Sequence, residues 1–431
     1  MRHSGTVTTD AEILRAAVAG YARRLHAAAG SGHHVASPLG AWLLLALCAP
    51  ATRNGAAGES SLAEVLGCDL AVAARLAARL LDHPHPQVAA AAAAWTRPPA
   101  ELADSQRRWQ SGLPAAVPTG PVPGQAAADA WAREHSFGLI DRFPARISPL
   151  TYLVLATVVA TRVSWQQPFD LAPAAELGAR SPWARRLGQV LATPSRPGGT
   201  GHRQLITATP DAGDVIVQLA QARGGLLVAS VAAAAEVPYT EVLAAAQRIG
   251  SAAVTGAVIA PRALADLPLG EAPLWRIREE PAGSGGTADR FTAVLPAWSA
   301  RTELDLAGPG LGFTTAAAAL AGGDRWAAAQ SAMARYTRTG FEAAAVSAMA
   351  VTASARRLMA GRRRVAELRF GQPYAVVAVA VDPGQAGQAG QAGQPGLWHG
   401  VPVFSAWVAD PQDAADEPGA ADEAERPGGP R

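Results

Sequence analysis

The chain has 431 residues, 49% of them apolar, which suffices for one large or two to three ordinary domains with a substantial core. All 37 basic residues are arginine, set against 35 acidic ones for a net charge of +2, so no global field argues for a nucleic-acid or membrane partner. Cys48 and Cys68 fit two buried thiols better than a disulfide or a metal site.

Thr9 and Asp10 cap an amphipathic helix that runs to Leu25 and breaks at Gly30-Ser31-Gly32. Ser37 suits an N-cap and Pro38 the first helical position, which opens a second, apolar helix. Gly58 to Gly67 reads as a short capped helix, and another runs from Leu70 to Leu81. Val88 to Trp95 reads as a buried strand, and the Pro/Gly-rich stretch 114–123 as a loop. From Thr151 to Thr161 a β-branched run is apolar on both faces, hence central in a sheet, with Trp165 placed to plug its end. Val215–Leu219 and Leu226–Val231 form a strand pair across Gly224-Gly225. Gly308–Phe313 is a turn, because it lacks the spacing of a phosphate loop.

A polar, β-like segment, Arg335–Thr339, then leads into Gly340-Phe341-Glu342-Ala343-Ala344-Ala345-Val346-Ser347-Ala348-Met349-Ala350. Alone, this run reads as an Ala-rich helix. It also suits a segment that must slide between two packed strands, where large side chains would overpack. The Gly-Gln-Ala repeat at 384–391 reads as a flexible surface insertion, and the acidic, Pro/Gly-rich residues 413–431 as a disordered tail.

Nine histidines raise the question of an enzyme. His33 and His34 are adjacent and share no face of a helix or strand, and His83-Pro84-His85 sits in a turn. Neither pair has metal-site spacing, and G-x-S-x-G, C-x-x-C and H-E-x-x-H do not occur. No catalytic residue, metal or cofactor is expected. No run is long and apolar enough to span a membrane. Met1–Val7 has no apolar stretch of the signal-peptide kind, which gives a cytoplasmic expectation, with an extracellular site left open.

The order of several blocks resembles the serpins. Trp131–Ile140 is similar to their W-V-x-x-x-T-x-G-x-I, and Thr151, Leu153, Val154, Leu155, Trp165, Pro168 and Phe169 fall in their next block. Leu295–Leu306, the hinge-like Gly340–Ala345, Phe370–Tyr374 and Val408–Pro411 follow in family order, and Ser37-Pro38-Leu39 matches part of the turn into their central helix. The resemblance implies an α+β serpin fold, with three β-sheets, about eight or nine helices and an exposed reactive-centre loop. It would be one domain over residues 9–412, between a short N-terminal tail (1–8) and the tail 413–431, monomeric and expected to be a bacterial member.

The implied function is suicide inhibition of a serine endopeptidase, with a cysteine endopeptidase as the alternative target. The loop is cleaved, an acyl-enzyme forms, and the loop enters the main sheet and traps the protease. The hinge would be Gly340, Phe341, Glu342, Ala343, Ala344, Ala345, Val346 and Ser347, and the sheet-opening region Ser37, Thr157, Trp165 and Gln330. Counts from the hinge and from Phe370 place the scissile bond between Ser354 and Arg362. Arg357–Leu358 is favoured for a trypsin-like target, since guanidinium pairs with carboxylate. Arg356, Ser354 and Ala355 are alternatives, the latter two for an elastase- or subtilisin-like one, and Arg362–Arg364 are further ones. Three departures bear on inhibition: Phe341 where Thr or Ser is usual, Arg338 where Glu is usual, and Thr157 with Gln330 where an Asn–His pair is common. The phenyl ring is expected to overpack on insertion, and Thr157 and Gln330 to form a substitute hydrogen bond. A non-inhibitory serpin, substrate-like or a carrier, is one alternative reading. A hydrolase or transferase on an unrecognised α/β fold is another.

Overall fold

Helix Pro38–Cys48 is buried around its whole circumference, as its run of Leu, Ala and Trp requires. Ser37 caps it by accepting from the Gly40 amide, and Pro38 occupies the first turn. Two of the sheets pack on this helix, through strands 153–161 and 402–408. The computed structural model describes residues 8–52, 56–96, 103–147, 151–194, 201–281, 287–321, 326, 328–341, 362–382 and 396–416. Among these there are eight α-helices.

The first sheet is wholly antiparallel, in the order His34–Ala36, Pro402–Val408, Tyr374–Ala380, Leu226–Ala232, Gly213–Ala222, His202–Thr209. Its middle strands are buried on both faces, which explains their unbroken apolar sequences. One face carries helix Tyr239–Thr255, whose Val242, Leu243, Ala246 and Ile249 meet Val217, Ala229 and Val377. Gly250 permits this close approach, since a Cβ there would stand 3.0 Å from a Val379 methyl.

The second sheet runs Gly270–Glu271, Trp275–Pro281, Arg362–Arg369, Arg290–Leu295, Gln189–Ala192, Asp170–Pro173. Only the pairing of 290–295 with 362–369 is parallel.

The third sheet has two hydrogen-bonded halves. One is Trp298–Asp305, Ala329–Tyr336, Gly340–Phe341, Val163–Ser164, and the other Thr119–Pro121, Val88–Thr96, Leu153–Thr161. The chain 153–164 runs through both halves, with Arg162 between its strands. On the outer face, helix Gln125–Glu134 and Phe143 cover Val154, Ala156, Val158 and Ala160.

The expected helices at the N-terminus and strands 88–96 and 153–161 are present, but 153–161, expected to be central, ends its ladder: among the described residues it pairs with 88–96 alone, although both its faces are covered. Residues 171–290, where few elements are expected from sequence, hold helix 239–255 and much of the first two sheets. Cys48 is free and buried, and Cys68 free and half-buried. Asp413, placed in the tail by composition, accepts hydrogen bonds at 3.2 Å from the Gln189 amide and 3.0 Å from that of Ala415, so the start of that segment is docked.

Candidate functional site

The third sheet contains a slot. Tyr336 pairs with Phe341, and Phe341 with Val163, so Gly340–Phe341 stands one strand wide between 329–336 and 163–164. Beyond it, no ladder joins 329–336 to 153–161 among the described residues. Any strand that continued from Phe341 would be antiparallel to both flanks.

The mouth of the slot is built on a tight turn. The Thr337 hydroxyl donates to the Gly340 carbonyl at 3.0 Å and accepts from the Gly340 amide at 3.1 Å. Trp165, 1% exposed, closes over this turn: its indole N–H donates to the Thr337 carbonyl and its amide to that of Thr339, both at 3.0 Å. Arg338 exchanges two bonds with Phe169, one from its Nε and one to its own carbonyl. Trp165, Phe169, Tyr336 and Trp298 form a continuous aromatic layer, with ring centroids 4.9 to 6.1 Å apart. Phe341 is 3% exposed and seated in it, edge-on to Trp298 and Tyr336. The overpacking expected of this ring is therefore not what the structure shows, because the aromatic layer gives it a pocket. Burial pushes the Tyr336 hydroxyl well above its ordinary range.

A neutral imidazole supports the mouth from behind. His202 Nε2–H donates to the Gln167 carbonyl at 2.7 Å, and its Nδ1 accepts from Gln218 at 2.9 Å. Burial holds this ring below the ordinary histidine range, against the opposite pull of the Gln167 carbonyl.

The floor of the slot is the first turn of helix 38–48. Gln330, on one flank, brackets Ser37: its Oε1 accepts from the Ser37 amide at 2.9 Å and its Nε2 donates to the Ser37 carbonyl at 2.8 Å. Thr157, on the other flank, donates to the Gly40 carbonyl at 2.9 Å. The Ser37 hydroxyl reaches below to the Val403 carbonyl of the first sheet, at 2.9 Å. Thr157 and Gln330 thus make no substitute bond to each other. Each side chain is satisfied by the same helical turn, which clips the two flanks to the central helix.

Ser37, Thr157, Trp165, Gln330, Gly340 and Phe341 are thereby brought to one slot. Glu342, Ala343, Ala344, Ala345, Val346 and Ser347 lie outside the described residues, as do Ser354, Ala355, Arg356, Arg357 and Leu358. Arg362–Arg364, read as alternative cleavage positions, instead begin strand 362–369. There Arg362 pairs with Glu279 at 3.2 Å and Arg363 with Glu280 at 2.6 Å. Thr337, Trp298, Tyr336 and His202 were not singled out for the site from sequence. The Thr-x-x-Gly spacing of 337–340 is the one local signal for the turn.

Neither a family model nor a curated protein sequence matches the chain. Solved structures do. The thermophilic serpin tengpin in its native state has a TM-score of 0.61 at 12% identity, over 94% of this chain and 96% of its own. Human thyroxine-binding globulin, in a complex with its hormone, has a TM-score of 0.60 at 12% identity, over 94% of this chain and 100% of its own. Human kallistatin gives 0.59 at 13% identity, over 94% and 99%. The chain has the serpin fold, and at these identities the likeness extends to the fold alone.

Proposed function

We propose that this protein is a suicide-substrate inhibitor of a serine endopeptidase and no catalyst. The observation that carries the reading is the placement of Gly340–Phe341 in the ladder at the mouth of an otherwise unpaired slot. The protease nucleophile would attack a loop carbonyl and hold the new C-terminus as an ester, while the freed amine departs with strand 362–369. The segment after Phe341 then enters the slot before water reaches the ester. A cysteine endopeptidase would react likewise through a thioester.

Register supports this. Continued without a bulge, Ala343 would lie beside Ala334, Ala345 beside Ala332, and Ser347 beside Gln330 and Thr157. Glu342, on the outer face, would fall between Arg335 and Arg162. Small residues meet small ones, and the one charge meets opposite charge. Incubation with trypsin tests the reading. The expected product is an SDS-stable covalent complex, and plain cleavage with full protease activity retained counts against inhibition.

A carrier role is favoured by a separate observation. A cavity of about 610 Å³ lies between helices 10–29 and 239–255 and strand 202–209. Ala16, Ala19, Ala252 and Ile259 line it, with Arg15 at one side. Gln247 also lines it, 5% exposed, and its Oε1 has no partner. An amphipathic ligand with a hydrogen-bond donor would suit that oxygen. Calorimetric titration with thyroxine, using Gln247→Leu as control, tests it, and absence of heat in the wild type removes that hormone as cargo. A hydrolase is disfavoured by the one contact between a serine hydroxyl and a histidine among the described residues, Ser405 with His26, because both residues are only 1% exposed.

A further inference from the structure

Behind the floor of the slot lies a buried line of polar side chains. Its members are Ser405 on strand 402–408, His26 on helix 10–29 and His34 on strand 34–36. The Gly32 carbonyl can only accept, so His34 Nδ1, 2.8 Å away, carries the hydrogen. In a neutral ring, His34 Nε2 then accepts from His26 Nδ1–H at 2.7 Å. By the same reasoning His26 Nε2 accepts from the Ser405 hydroxyl at 2.6 Å. Every hydrogen in the line is used once. A proton added at His34 Nε2 sets N–H against N–H. One added at His26 Nε2 displaces the Ser405 hydrogen from its acceptor.

We propose that the His26–His34 pair is an acid-sensitive latch, which holds strand 34–36 and the Ser37 clip on the slot closed only while both rings are neutral. The connection is short. Strand 34–36 pairs with 402–408 through His34–Trp407 and Ala36–Ser405, and the next residue, Ser37, holds both Gln330 and Val403. Val35 is tied to the same sheet as the slot by its amide, which donates to Thr302 Oγ1 at 3.0 Å. Burial keeps both imidazoles below the ordinary histidine range, His26 at about 3.

Few other titratable or charged groups face the pair. His33 donates to the Ser299 carbonyl and accepts from the Ala409 amide, and the Tyr239 hydroxyl donates to the His26 carbonyl. Arg24 is ion-paired with Glu64 at the surface, Arg301 and Glu303 on the 298–305 strand are exposed, and Arg335 is half-buried. Strand 402–408 carries no titratable side chain. The opened state takes up protons first as pH falls below about 6.5, so the closed state is fully favoured above that value and loses ground below it.

The test is amide hydrogen exchange of the full, uncleaved chain from pH 8 to pH 5, corrected for intrinsic rates. It reads residues 33–41 and 328–336, with strand 362–369, which has no histidine, as reference. Other buried histidines act on global stability, so the local readout is the discriminating one. Opening of the two segments is expected to rise about ten-fold per pH unit for each proton taken up. The reference should stay level. In His34→Gln the slope should flatten. In Ser405→Ala, which keeps both rings but removes the donor to neutral His26, opening should be raised at every pH, including pH 8, with the onset still near about 6.5. A level wild-type profile, or opening of the two segments unchanged at every pH in Ser405→Ala, overturns the latch, and this second variant decides the matter even if His34→Gln does not fold. The outcome does not depend on whether the protein inhibits a protease.

Discussion

Replacing Phe341 by Thr, the residue usual at this hinge position, should weaken the hinge's hold on the sheet. From size alone the opposite is expected, because a smaller side chain enters a sheet more easily. The ring, however, is already seated, 3% exposed and edge-on to Trp298 and Tyr336 at 6.2 and 6.4 Å. Fully burying a Phe side chain is worth about 1.5–3 kcal/mol, and each aromatic contact adds about 0.5–1.5 kcal/mol. Thr recovers part of the burial and none of the ring contacts, so a net loss of about 2–3 kcal/mol is reasonable for a site at a sheet end. That corresponds to about 30- to 150-fold in the ratio of seated to withdrawn hinge. The Thr337–Gly340 turn stays intact, so the loss should remain local. Amide exchange at residues 338–341 should accelerate by that factor, and fewer cleaved molecules should end as trapped protease. Unchanged exchange together with a higher yield of complex would mean that the aromatic pocket does not anchor the hinge.

Gln330→Ala removes both bonds to Ser37 and leaves the buried Ser37 amide unpaired, while the Ser37 carbonyl keeps only its bond from the Ala41 amide. Urea unfolding should show a loss of about 2–4 kcal/mol, and a change under 1 kcal/mol would mean that the flank is held by packing alone. Cleavage of the loop should raise the melting temperature by about 10 °C, because a strand paired on both sides adds several kcal/mol of net hydrogen bonding. An unchanged melting temperature rules out insertion. Glu342→Arg should lessen that gain by setting like charge beside Arg335 and Arg162, and an equal gain in the variant means that the extrapolated register is wrong. Sequencing of the C-terminal fragment freed when the covalent complex forms in a mixture of trypsin and elastase should begin at Leu358 or Arg357, whereas a start at Ala355 points to an elastase- or subtilisin-like target.

Several parts of the site were legible because their signals are local. Ser-Pro before an apolar run marks the start of helix 38–48, and a β-branched run apolar on both faces marks 153–161 as a strand covered on both faces, though not as one that ends its ladder beside the slot. Even the dismissal of His33 and His34 as sharing no face holds, since they point to Ser299 and His26 respectively. What sequence does not reveal is long-range. Gln330 and Ser37 are 293 residues apart, and nothing in either neighbourhood predicts that one brackets the other. The pocket for Phe341 depends on Trp298 and Tyr336 arriving from two other strands. Helix 239–255 is amphipathic, but alanine fills so many of its positions that helical and strand periodicities look alike.

The position of the scissile bond shows how structure changes an argument without reversing its conclusion. From sequence, cleavage near Arg362 is disfavoured because it would carry Arg356 and Arg357 into the sheet as buried charge. The register weakens that reason. With Phe341 opposite Val163, the flank that ends at Leu153 can pair residues only as far as Val351. In an inserted form Arg356 and Arg357 would lie past that end for either cleavage point. A different reason remains. Arg362 and Arg363 are in strand 362–369, paired to 275–281, with Glu279 and Glu280 against their guanidinium groups. A protease needs several residues extended in its cleft on both sides of the bond, so cutting there requires that strand to unzip. Cutting at Arg357–Leu358 leaves Leu358 to Gly361 as a spacer before the sheet begins.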